Sequence, residues 1–177
     1  MFVINAILSL ALAITSAAQD SQSYQWNKKS TFTAQHQVEF PGIVVEPGVY
    51  IVRLKETGNT RSQVQLLNQD ETQVLATFFA IPDHRIRPDD NSEFVFHEIK
   101  NDEPVPVRSW FFSGDLVGLE FVYPKERAKV IAKHSDDHVA ASNDSRDGAI
   151  VAITPNGKEI VIDEAPAAQT ARRKPQP

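Results

Sequence analysis

The chain has 177 residues, with 18 basic against 23 acidic side chains and a formal net charge of −5. That size suits one domain with its own core and is short for two, while the mild negative charge argues against a nucleic-acid binder, which needs a basic face, and gives no reason to expect attraction to anionic lipid. Cysteine is absent, which removes disulfides, thiol nucleophiles, cysteine-linked lipid and Cys-ligated zinc together, so the fold must stand on hydrophobic burial.

Residues 2–13 form an uncharged, mostly apolar run broken by Asn5 and Ser9, and small residues follow at Ser16 and Ala18. This is the pattern of a secretory signal peptide over residues 1–18, cleaved after Ala18. The run is short for a bilayer span, which takes roughly 20 apolar residues. No Lys or Arg precedes it, so an uncleaved anchor is the alternative. The expected localisation is secreted or periplasmic, with no stable membrane insertion after cleavage. Residues 19–30 are a polar lead-in.

From Thr31 the period becomes two. Phe32, Ala34, His36, Val38 and Phe40 share one face and polar residues the other, which predicts a half-buried strand over 31–40. Pro41-Gly42 and Pro47-Gly48 bracket a short apolar piece at 43–45. Strands are predicted over 49–56 and 62–68, joined through a hairpin connection at 57–60. Another follows over 73–81. The proline- and charge-rich stretch 82–91 reads as a loop, and strands resume at 93–100, 105–112 and 119–123. Pro124 can open the one helix, over 125–133.

Residues 134–148 are polar and read as a linker. Two apolar runs around Pro155-Asn156-Gly157 predict a hairpin over 149–163, which needs a sheet or a partner to dock on. The end, 164–177, holds three prolines and Arg172-Arg173-Lys174 and reads as a disordered basic tail. The regular spacing of short strands predicts an all-β fold: a single antiparallel β-sandwich, immunoglobulin-like or a small barrel, over 31–133, with one short helix and a C-terminal hairpin.

The segment 108–124 carries the densest chemistry. Alternation places Arg108, Trp110 and Phe112 on one face, with Ser109 and Phe111 on the other. In the next strand Leu119, Phe121 and Tyr123 share a face opposite Glu120 and Val122. An aromatic plate beside a carboxylate is how many exported domains hold sugars, so Trp110, Asp115, Glu120 and Tyr123 are the candidate ligand-binding residues. The competing reading buries the aromatics as core and pairs Glu120 with Arg108 or leaves it in water.

Together with Pro47-Gly48-Val49-Tyr50, this segment resembles a group of exported proteins from soil bacteria. That group pairs a Pro/Ala-Gly-x-Tyr strand start with a Trp-Phe-aromatic-x-Gly-Asp…Gly-x-Glu-Phe-Val-Tyr-Pro block. The similarity covers about residues 31–132. It implies export and a β-rich domain, and brings no known activity or catalytic residues.

His134 and His138, at i and i+4 with Asp136 or Asp137 beside them, are a possible metal pair; the alternative is two histidines in a solvated linker. His36, His84 and His97 could act as bases, but no local nucleophile motif accompanies them, and structural roles fit them better. Arg85 and Arg87 could meet an anion, and Asp89 and Asp90 a cation. Asn143-Asp144-Ser145 fits a glycosylation acceptor. With no catalytic, cofactor or metal motif, the sequence predicts a non-catalytic binding or structural domain that contacts a protein or glycan in the envelope or outside the cell. The alternatives are a hydrolase acting on carbohydrate and an assembly protein pairing through its sheet edge or hairpin.

Overall fold

Alternating burial begins at β1 (Lys29–Ala34), which turns Phe32 and Ala34 inward. The computed structural model describes residues 28–57, 61–99, 104–142 and 148–163. The expected signal peptide, most of the polar lead-in, the glycosylation pattern at Asn143 and the C-terminal tail lie outside them. The alternation predicts one strand as far as Phe40 with His36 on its apolar face. Instead the chain bends at 35–37, leaves His36 exposed and resumes as β2 (Val38–Phe40). An imidazole turned into this apolar interior would lack a partner, and the bend keeps it in water.

After β3 (Ile43–Val45) come β4 (Gly48–Thr57), β5 (Ser62–Asn68) and β6 (Val74–His84). β6 runs through Pro82 into the expected loop. It pairs with β5 up to Ala80 and then with β9 (Val117–Phe121) from Ala80 to His84. Val122 N donates to Phe79 O (2.9 Å), so Phe79, Ile81 and Asp83 face β9. Pro82 therefore turns its missing donor toward the side where β5 has already ended, which is why a proline fits mid-strand. β7 (Glu93–Phe96) and β8 (Val105–Phe111) complete the large sheet.

The sheet has nine strands in the order β1-β4-β5-β6-β9-β8-β2-β3, with β7 also on β8. The fold is all-β as expected, but not purely antiparallel. β2 pairs with β8 in parallel, and β10 (Tyr123–Pro124) with β11 (Val139–Ser142) likewise. β2 reaches β8 by a crossing from β1 and not by a hairpin, which removes the constraint to antiparallel pairing. Val105 N donates to Gln37 O while Pro106 O accepts from His97 N, so β2 lies on one edge of β8 and β7 on the other. The sheet is rolled. Phe32 of β1 meets Phe94 and Phe96 of β7 at ring-centroid distances of 4.9 and 6.3 Å, and Trp110 Nε1 donates to Ser30 Oγ at 3.0 Å.

α1 (Lys125–Ser135) follows Pro124 and runs two residues past its predicted end. The expected linker after it is mostly structure: Val139, Ala140 and Ala141 are buried in β11. β12 (Ile150–Ile153) and β13 (Glu159–Asp163) form the expected hairpin and join β10 and β11 in a second sheet, β10-β11-β12-β13. This sheet lies on the outside of the first, where Ala140 and Ile150 meet Ile81, Val122 and Phe79. A fork of hydrogen bonds from Arg127 to the buried Glu39 (2.7–3.1 Å) pins α1 to β2. Among the described residues no helix is long and apolar enough to cross a membrane.

Gly118 sits where β9 passes under Phe111: a Cβ there would meet Phe111 Cδ1 at 2.5 Å and Trp110 O at 2.7 Å. Gly118→Ala should therefore destabilise the protein by about 1–3 kcal/mol through overpacking. Urea denaturation is the check, and an unchanged midpoint would show that Phe111 moves aside freely.

Candidate functional site

The four residues singled out in the sequence are not gathered on one surface. Trp110 is 0% exposed, stacked on Phe94 (6.0 Å, interplanar angle 3°) and edge-on to Phe112 at 4.5 Å. It offers no face to a ligand, which corrects the plate reading: the ring fills the interior because both its faces are already covered. Tyr123 is 1% exposed, with its hydroxyl within hydrogen-bonding distance of the carbonyls of Val107 (2.8 Å) and Glu39 (3.0 Å). Burial raises its pKa well above the ordinary phenol value. Asp115 lies at one end of the roll, paired with Lys28, in a cavity of about 340 Å³ that also includes Phe112 and Pro82. Glu120 points the other way, on the outer face of β9 opposite Ser109.

The segment 108–124, the signature segment, is thus a set of structural locks. Arg85 donates to the carbonyls of Asp115 (2.8 Å) and Phe112 (3.0 Å) and lies over the Phe111 ring at 5.1 Å. Lys28 sits over Phe112 at 3.9 Å. Gly114 takes a left-handed φ of 75° to turn the loop. Arg85, expected as a possible anion contact, is spent on this loop and on Glu93 (3.3 Å).

A concavity of about 590 Å³ opens at the other end of the roll. β1 and the bend at 35–37 form one wall, and the end of β7 with His97 and Ile99 forms the other. Phe32, Ala34, Val38 and Phe96 give it an apolar floor. Phe96 is 37% exposed, an unusual state for a ring with this much apolar company. Sequence reasoning missed this cleft, because it exists only where two strands far apart in the chain are brought side by side.

Behind its wall lies a polar cluster. His97, 1% exposed, has Nδ1 at 3.5 Å from Asp137 Oδ2, without the alignment of a hydrogen bond. Arg108 NH1 donates to the same oxygen at 2.8 Å. Arg108 reaches it from a bulge: Val95 opposes Ser109 and Phe96 opposes Val107, so Arg108 is the extra residue. Ser109 Oγ donates to Asp83 Oδ2 at 2.5 Å, and Glu120 lies within the same field. Burial pushes His97 down to about 4; Asp137 opposes that shift and Arg108 adds to it. Burial pushes Glu120 up to about 7, with Arg108 opposing and Asp83 and Asp137 assisting.

The remaining histidines are apart from this cluster. His36 lines the cleft from the exposed bend, and His84 ends β6. His134 lies in the last turn of α1, and the helix closes at Asp136 in a left-handed conformation (φ 56°), so His138 lies beyond it. The helical i, i+4 geometry assumed for a metal pair is therefore interrupted. Among the described residues no group of three His, Asp or Glu side chains could hold a metal ion. No family model, curated protein or solved structure matches the chain.

The two shifted groups bear on stability in opposite directions. Between about 4 and the ordinary 6.5 the unfolded chain protonates its histidine while folded His97 stays neutral, so this contribution makes stability rise with pH. Between the ordinary 4.5 and about 7 folded Glu120 keeps a proton that the unfolded chain has lost, so stability falls with pH. Glu120→Gln should raise the melting temperature at about pH 8 and leave it unchanged at about pH 4. Thermal scans at the two pH values check this, and an equal effect at both would mean that the carboxyl is not held protonated.

Proposed function

We infer that the protein is an exported, non-catalytic binding domain that takes a segment of a partner protein in the cleft between β1 and β7. The cleft carries this reading: about 590 Å³ with an apolar floor and a partly exposed Phe96 is the size and character of a ligand site at the mouth of a rolled sheet. The non-catalytic part is supported by the buried polar cluster, whose hydroxyl is committed away from its histidine. Ser109 donates to Asp83, on the outer face of β8, and not to His97. The two rings expected to hold a glycan, Trp110 and Tyr123, are buried and offer it no plate. Export rests on the signal-like residues 1–18.

The apolar dye 1-anilinonaphthalene-8-sulfonate tests the site. It should bind the purified protein with enhanced fluorescence, and Phe96→Glu should weaken it at least about tenfold while the fold is kept, since Phe96 stands at the margin of the core. Undiminished binding in that variant would remove the cleft from consideration.

A further inference from the structure

Seven strands of the rolled sheet follow one another as β1-β4-β5-β6-β9-β8-β7, and every neighbouring pair is antiparallel. Seven alternating directions leave the first and the last strand running the same way. β1 and β7 therefore cannot close the roll with the kind of ladder used at every other junction. They meet through the Phe32, Phe94 and Phe96 rings beneath the gap, and no strand pairing joins them.

The registers show what each strand turns to that gap. Leu54 N donates to Lys28 O at 2.8 Å, so by alternation Ser30, Phe32 and Ala34 face β4. The backbone groups of Lys29, Thr31 and Thr33 face the gap. His97 N donates to Pro106 O at 2.9 Å, so on β7 it is Phe94 and Phe96 that face the gap.

We propose that the gap accepts an extended segment of a partner protein as an eighth strand, antiparallel to both β1 and β7. The proposal rests on the cleft reading above and specifies its ligand. Two facing rows of backbone donors and acceptors are matched only by another backbone; a sugar or a lipid could fill the apolar volume but not both rows. Eight strands is also the number at which side chains just fill a barrel interior. Inward side chains of the added strand meet Phe32, Phe94 and Phe96, and outward ones lie beside Thr31 and Thr33. The segment is therefore β-branched or aromatic at every second position, polar between, and free of proline. The chain's own residues 164–177, with Pro166, Pro175 and Pro177, do not fit that description.

The probe is a short synthetic peptide of alternating Val and Thr between terminal lysines, with a copy N-methylated at alternate backbone nitrogens as control. Hydrogen exchange on the purified protein is the readout. The plain peptide should slow exchange of the Thr31, Thr33, Phe94 and Phe96 amides about tenfold or more, and the methylated copy should not. Thr31→Pro removes one gap-facing donor without touching the ladder to β4 and should abolish the protection. Protection confined to β3 or β13, or none with either peptide, overturns the proposal. If the dye still reports the cleft and Phe96→Glu still removes it, strand addition fails alone. If dye binding is also absent, the cleft reading fails with it.

Discussion

The hydrogen bond from Trp110 to Ser30 joins residues eighty apart in sequence and decides the shape of the main sheet. A Trp ring buried without a partner for its N–H would cost about 1–3 kcal/mol, so the ring's position and that of β1 are fixed together. Once β1 is held across the interior from β8, the sheet between them has to curl. Phe40, Phe78 and Phe121 then pack inside, tilted and edge-on, at 4.8–6.1 Å, and the two ends of the roll acquire their cavities. The other side chains of the signature segment serve the same end. Phe111 needs Gly118 beneath it, Phe112 needs Lys28 above it, and Tyr123 closes the far side against two carbonyls.

The outer face of the same three strands is polar where the inner one is aromatic. Asp83, Ser109 and Glu120 come from β6, β8 and β9, and the C-terminal sheet lies over this face, so charges that would ordinarily sit in water are partly desolvated. Ala140 of β11 supplies a backbone donor to Glu120, and Asp137, just before β11, reaches Arg108. The second sheet is thus held by apolar contacts at Ile81 and Val122 and by an ionic network beside them.

Most of the elements were legible because they rest on local pattern. The strands expected at 62–68 and 105–112 became β5 and β8, and Pro-Asn-Gly marked the turn between β12 and β13. Alternation also separated Tyr123 from Glu120 and Trp110 from Ser109 within their strands, but it could not say which faces were sealed. β11 was hidden for a different reason. Val139, Ala140 and Ala141 are too short a run between Asp137 and Asn143 to announce a strand, and only cover from α1 and β12 makes them one. The cleft had no signal at all, since its walls come from strands separated by some sixty residues and meet only when the sheet rolls.

The long reach of the Trp110–Ser30 contact also sets an order of events. β4, β5 and β6 are neighbours in sequence and in space, and they can pair as soon as they exist. β1 can join β4 early, but its inner face has no cover until β8 has been made. A chain emerging from the ribosome or threaded through a membrane N-terminus first therefore carries an open, half-apolar sheet for most of its length. Loop-closure entropy delays the roll until β8 and β9, well past the middle of the polypeptide, have arrived. During that interval the exposed face depends on whatever escorts the nascent chain, and a truncation upstream of Trp110 would leave it uncovered permanently.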